Sequence, residues 1–229
     1  MMTVDIAGSD TRQLRQLVRS RNDVIFEIVR DRICLREYDE GHVIHETALA
    51  TEFRVSRTPI RQVLQRLVYE QLAETRNGVG TIVSAIEPRS ADMLRFRIGL
   101  TRLIADLIPL QLPSTLGSDY ARLQALAGLL KPDSSVKEAW DVWRTHHEVR
   151  NALIGDEALR QMDDTIFFRT ARSWIGWLKQ EPAAMHALLV EEIAAVAGQS
   201  SGLSAPELFR LHATHLERML ARYGAQESK

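Results

Sequence analysis

Between Glu46 and Tyr69 the apolar residues fall at helical spacing twice, in two runs joined by only three or four residues. Leu49 and Phe53 stand at i and i+4 in the first run, Glu46 to Phe53. In the second, Ser56 is a natural N-cap, Pro59 suits a first turn, and Ile60, Val63, Leu64, Leu67 and Val68 form one inward stripe. Helices this short bury an apolar face by packing on each other across a tight turn, which makes a helix-turn-helix. Upstream, Val24, Ile25, Ile28, Val29, Ile33 and Leu35 predict a core helix that ends before the turn Tyr38-Asp39-Glu40-Gly41. Downstream, Leu72 to Thr75 and Thr81 to Ser84 read as strands around Arg76-Asn77-Gly78-Val79-Gly80, because Asn-Gly tolerates the positive φ of a hairpin turn. Three helices followed by a hairpin make a winged helix.

That unit occupies residues 21–86 of a chain of 229, which leaves room for a second domain. The composition changes at Ile86-Glu87-Pro88-Arg89-Ser90, and from 90 to 225 the spacing is helical. About six helices are expected, near 90–112, 116–131, 134–155, 157–180, 182–199 and 204–224, separated by Pro113, Lys131-Pro132, Gly155-Asp156, Glu181-Pro182 and the Gly198 to Pro206 loop. The fold class is therefore mainly α, a winged helix-turn-helix followed by an all-α bundle. Residues 1–20 read as a flexible or partly helical extension. An apolar share of 45% against 26% charged excludes a disordered chain. The single cysteine, Cys34, offers no internal disulfide, and no signal-peptide or membrane-spanning pattern is visible, so a cytoplasmic location is expected.

Twenty-nine basic residues balance 30 acidic ones, for a net charge of −1, so any nucleic-acid contact must be local. The run from Phe53 to Tyr69 supplies one: Arg54, Arg57, Arg61 and Arg66 with no acidic residue among them. Arg57 and Arg61 share a face at the N-terminal end of the second helix, where a helix-turn-helix presents side chains to base edges in the major groove. An arginine fork matches guanine O6 and N7, and Thr58 can reach a phosphate or a thymine methyl. The bland alternative is four arginines solvating an exposed helix; the adjoining wing argues against it.

The run Glu46-Thr-Ala-Leu-Ala-Thr-Glu-Phe-Arg-Val-Ser-Arg-Thr-Pro-Ile-Arg-Gln-Val-Leu-Gln-Arg-Leu, followed by Leu72 and Arg76-Asn-Gly-Val-Gly, resembles the winged helix of GntR-type bacterial transcription regulators. The resemblance implies a homodimer that binds a short palindrome in double-stranded DNA. It places recognition-helix contacts on Arg57, Thr58 and Arg61 and a wing-tip contact on Asn77 and Gly78. Thr47 stands where many relatives carry a DNA-touching arginine. Gln62 replaces a commoner glutamate, removing a negative charge near the phosphates.

The helical half resembles, more weakly, the FCD effector domain of such regulators in its shorter, VanR-like form. That resemblance implies a small-molecule, carboxylate effector held through a divalent metal, zinc or nickel, with ligands falling on His147, His186 and His215. The aspartate expected four residues before His147 is Trp143, and Asp141 is turned about 240° from His147 around the helix. The site is then either a three-histidine metal site or a pocket that has exchanged its metal for an indole. Arg95, Arg97 and Arg102 are candidate carboxylate clamps on the first bundle helix, and Trp143 a candidate cavity wall. His42, His45, His146 and His212 read as surface or internally satisfied histidines, and the i, i+3 pairs Trp140/Trp143 and Trp174/Trp177 as core packing.

No HExxH or GxSxG motif, glycine-rich phosphate loop or partnered cysteine nucleophile is present, which argues against an enzyme. The remaining alternative is an architectural DNA binder with a purely structural bundle.

Overall fold

The computed structural model describes residues 21–86, 90–109, 113–131, 133–199 and 203–227; the expected extension 1–20 lies outside them. The described chain divides into two compact units. The first comprises residues up to Ile33 together with Glu37–Ala85, the second Cys34–Arg36 together with Ile86 onward.

In the first unit α1 (Arg21–Cys34), α2 (Glu46–Phe53) and α3 (Arg57–Tyr69) are joined by a three-stranded antiparallel sheet of β1 (Val43–Ile44), β2 (Ala73–Arg76) and β3 (Gly80–Val83), in the order β1-β3-β2. Ile60, Val63, Leu64 and Leu67 are buried, as their spacing predicts. Each such side chain contributes about 1.5–3 kcal/mol by leaving water. The stripe of α1 is rotated from the predicted one. Ile25, Phe26, Val29 and Ile33 are buried while Val24 and Ile28 are largely exposed, because Phe26 turns inward and carries the Arg66 guanidinium 3.7 Å above its ring. Strand β1 was not predicted: two residues give too little alternation to be seen in sequence, and it exists by pairing Val43 with Ile82 and Ile44 with Thr81.

The hairpin has the register that the expected strands imply, Thr75 opposite Thr81, but both strands run one residue further into the turn. Arg76 pairs with Gly80, so Asn77, Gly78 and Val79 form the loop, closed by the Val79 N–H donating to the Arg76 carbonyl at 3.1 Å. Gly78 takes φ +77° whereas Asn77 does not enter the positive region, so the glycine alone supplies the conformation that both residues were expected to share.

The second unit is the expected set of six helices: α4 (Ser90–Leu107), α5 (Leu116–Ala127), α6 (Val136–Asn151), α7 (Glu157–Gln180), α8 (Pro182–Gln199) and α9 (Ala205–Glu227). Helix α4 stops short of the predicted 112 because the residue before Pro109 is disfavoured in helical conformation. Helix α6 starts at a capping box in which Ser135 and Glu138 satisfy each other's backbone N–H, and α7 starts where Asp156 accepts from the Leu159 N–H at 2.9 Å. Helix α4 packs against both α9 and α7, and α8 lies against α5. All four tryptophans are buried, with Trp143 packed against Trp174 at 4.7 Å between ring centres and edge-on to Trp140. The core-packing reading of the tryptophan pairs therefore holds.

Candidate functional site

The outer face of α3 carries Arg57, Thr58, Arg61, Gln62 and Gln65, all exposed, opposite the buried stripe. Ser56 occupies the N-cap without a side-chain bond to the helix, so the first-turn N–H groups face outward with no acidic residue in that turn. The α2–α3 connection is tight because Arg54 sits in the left-handed region at φ 52°, a conformation costly for a residue with a Cβ. Arg21 offsets the strain by donating from Nη2 to the Phe53 carbonyl at 2.7 Å and to the Arg54 carbonyl at 3.2 Å. Sequence reasoning missed this brace, since Arg21 and Arg54 are 33 residues apart. Gln62 receives a 2.9 Å hydrogen bond from Asn22 Nδ2, and Thr47 is exposed on α2. Asn77 and Gly78 are exposed at the wing tip. An open groove of about 420 Å³ runs between α3 and the hairpin, bordered by Glu46, Arg61, Gln65, Thr75 and Thr81.

In the second unit the polar groups turn inward. Arg97, His146, His147, Arg150, Asp163, Glu192, His212 and His215 are all buried. An arginine can only donate, so its bonds imply the histidine tautomers. Arg97 Nη2 lies 3.5 Å from His212 Nε2, and His212 Nδ1–H then donates to Glu192 Oε1. Arg150 Nη2 donates to His147 Nδ1 at 3.2 Å, and His147 Nε2–H to Asp164 Oδ1 at 3.0 Å. His146 Nε2 shares a 3.2 Å hydrogen bond with the Tyr120 hydroxyl. Glu192 Oε2 lies 3.2 Å from His215 Nε2 without the alignment of a hydrogen bond.

Burial sets the charge states. It pushes the Glu192 carboxyl up to about 8 against the pull of Arg150 and Arg97. It brings His215 down to about 3, with Arg97 adding to the effect, and holds His146 and His212 well below the ordinary imidazole range. Burial also lowers Arg97 to about 9, with Arg150 adding to it. Burial would raise Asp163, but His147, Arg150, Arg97 and an Asn151 hydrogen bond together hold it below its usual value. At neutral pH these eight residues therefore comprise two guanidiniums, one ionised carboxylate at Asp163, a protonated Glu192 and four neutral imidazoles.

A family model described as bacterial regulatory proteins, gntR family, matches residues 21–83. Residues 21–83 are a GntR-family domain. Over 60 residues the chain is 42% identical to the mannosyl-D-glycerate transport/metabolism system repressor MngR of Escherichia coli strain K12, an alignment covering 26% of this chain and 25% of that repressor. The chain thus spans about a quarter of the length of the curated relative it matches. The fold extends further: E. coli McbR/YncC superposes with TM-score 0.66 at 17% identity over 91% of this chain and 99% of that one. A GntR transcriptional regulator from Rhodococcus sp. RHA1 gives 0.63 at 16% over 90% and 99%.

Beside the GntR-family domain, the residues predicted as metal ligands are not brought together. His186 and His215 line one small, mainly apolar cavity with Trp143, Leu178, Met185 and Leu189, but His147 is not part of its wall. Both edges of the His147 ring are engaged, its face lies on Phe167 at 3.8 Å, and a guanidinium occupies the approach to Nδ1. His186 Nδ1–H donates to the Lys131 carbonyl at 2.8 Å, and its Nε2 is buried without a hydrogen bond. Among the described residues no group of three or more His, Cys, Asp or Glu is arranged to hold a metal. As placed, His147, His186 and His215 do not form a zinc or nickel site.

The candidate clamps separate too. Arg97 is fully buried, whereas Arg102 is an exposed residue paired with Glu217 and Arg95 an exposed one paired with Asp92 at 2.6 Å. His146 and His212, expected at the surface or satisfied, lie in the buried network, and Glu192 and Arg150 join them unpredicted. One signal for Glu192 was available: it falls between Leu189 and Val196 on the buried stripe of a mainly apolar helix.

Proposed function

We propose that this protein is a DNA-binding transcription repressor in which α3 enters the major groove of a palindromic operator. The observation that carries the reading is the division of α3 into a buried apolar face and an exposed face bearing Arg57, Thr58, Arg61 and Gln62, beside an exposed wing tip at Asn77 and Gly78. Repression is taken from the MngR relative, whose name gives it. The protein acts as a cytoplasmic homodimer, with half-sites one helical turn apart or less so that both α3 helices meet one face of the duplex. Among the described residues no helix is long and apolar enough to cross a membrane.

The bundle takes a small carboxylate effector. Arg97 and Arg150 carry two positive charges against the single ionised Asp163, and the excess favours an anion in a dry interior. The effector weakens operator binding by its differential affinity for the two dimer arrangements.

The test is selection of duplexes from a randomised pool by the full-length protein, with sedimentation to give its stoichiometry. A palindromic consensus bound by two chains is expected; recovery of unrelated sequences overturns the reading in favour of an architectural binder. A thermal-shift screen of small carboxylates against their methyl esters tests the effector class. Stabilisation by esters but not acids overturns it.

A further inference from the structure

Arg61 is not presented to solvent as a free side chain. Its Nε donates to Glu46 Oε2 at 2.9 Å, a bond that crosses from the fifth residue of α3 to the first residue of α2. The pair is exposed, 62% for the arginine side chain and 35% for the glutamate. At such exposure an ion pair adds little to stability, too little to explain a carboxylate beside the acid-free face of α3.

We propose that Glu46 is a specificity-determining positioning residue, which holds Arg61 by its Nε edge so that both terminal nitrogens face a guanine as a fork. The inference rests on the reading of Arg61 as a base contact. A guanidinium can offer two parallel N–H bonds either from its Nη1/Nη2 end or from its Nε/Nη2 side. Glu46 occupies Nε and removes the second choice, leaving the end-on pair that matches guanine O6 and N7. Glu46 also sets the arginine's direction before DNA arrives, so less side-chain freedom is lost on binding.

The same carboxylate works against indiscriminate binding. Both residues border the groove between α3 and the hairpin, and a negative charge there opposes every nearby phosphate whatever the sequence. Glu46 therefore lowers affinity for all duplexes and restores it for the one that places a guanine at the fork. Removing it has opposite signs on the two kinds of DNA, which neither a bulk-charge role nor a structural role produces.

The experiment uses full-length protein with two probes: a duplex selected by the wild type from a randomised pool, and a scrambled duplex of the same length and composition. Glu46→Ala is expected to weaken the selected duplex about tenfold and tighten the scrambled one about twofold. Glu46→Gln keeps an oxygen acceptor for Nε without the charge. It is expected to recover most of the affinity for the selected duplex while still tightening the scrambled one. Arg61→Ala combined with Glu46→Ala is expected to bind the selected duplex no more weakly than Arg61→Ala alone.

Tightening of both duplexes by Glu46→Ala overturns the proposal in favour of bulk charge. Weakening of both, with a lowered unfolding midpoint, overturns it in favour of a structural role. If Arg61→Ala leaves the selected duplex unaffected, the reading of Arg61 itself falls. That result is distinct from failure of the proposal alone, in which Arg61→Ala weakens binding and Glu46→Ala does not.

Discussion

The outer face of α3 and the centre of the bundle are both rich in arginine, yet they use it in opposite ways. On α3, Arg57 and Arg61 stand in water, and Arg61 is braced only by the solvent-facing carboxylate of Glu46 from the neighbouring helix. In the bundle, Arg97 and Arg150 are fully buried among His147, His212, Asp163 and Thr170, a set drawn together with them from the four helices α4, α6, α7 and α9. The first arrangement depends on a local run of residues and the second on tertiary convergence. Substitution should therefore disturb recognition in one place and folding in the other.

The largest effect is expected at Arg150. Replacing it with alanine leaves His147 Nδ1 without its donor and removes one of the two guanidiniums that hold Asp163 ionised, and losing one partner of a buried charged network costs about 3–5 kcal/mol. All four tryptophans belong to the second unit, so denaturant unfolding followed by tryptophan fluorescence reads that unit directly. A loss below about 1 kcal/mol would mean that the network is not under tension and that the contrast with α3 is weaker than drawn. On the other side, Arg57→Ala or Arg61→Ala should weaken binding of a selected operator by about 1–3 kcal/mol while leaving the unfolding midpoint nearly unchanged. Both variants binding normally would remove α3 as the reader.

A graded effect follows from the titrating groups. Glu192 is raised above its ordinary 4.5, so the folded state holds its proton more firmly than the unfolded chain. That contribution is fully present below 4.5 and is lost as pH rises toward 8. The lowered histidines His146, His147, His212 and His215 act in the other direction, their contribution falling away as pH drops below 6.5. Four imidazoles outweigh one carboxyl between 4.5 and 6.5, and Glu192 acts alone above that range. Stability of the second unit should peak near pH 6.5, and Glu192→Gln should flatten the alkaline side. A wild-type stability that climbs from pH 6.5 to 8 would contradict the assignment.

The same contrast explains what could be read without coordinates. Arg57, Thr58 and Arg61 are a contiguous motif whose exposure follows from the helical period of Ile60, Val63, Leu64 and Leu67, so that face was legible. The six bundle helices were legible because proline and capping signals bracket them; the early end of α4 was missed because Pro109, four residues before the expected break, went unused. The interior was misread for a physical reason. His146 looks like its neighbour His147 in sequence, and only the packing of α5 and α8 gives it Tyr120 at 3.2 Å and Glu192 at 3.8 Å. A resemblance carried over by position nominated His147, His186 and His215 as one site, but it had no means of knowing that Arg150 would face His147 and the Lys131 carbonyl would face His186.

The smallest expected effect sharpens the comparison most, because it holds residue type and helix constant. Arg97 and Arg102 both lie on α4, five residues and therefore about 140° apart around the axis. Arg97 is sealed among Thr170, His212 and the Phe167 ring, while 58% of the Arg102 side chain is exposed and its partner Glu217 is also in water. Arg102→Ala should shift stability by less than about 0.5 kcal/mol and leave any carboxylate-induced thermal shift intact. Arg97→Lys keeps a cation but loses the planar fork that reaches Thr170 and His212 together, so it should lower stability and abolish the carboxylate shift. If Arg102→Ala abolished that shift while Arg97→Lys did not, the anion would bind on the outer face of α4, and the buried guanidiniums would be framework, not receptor.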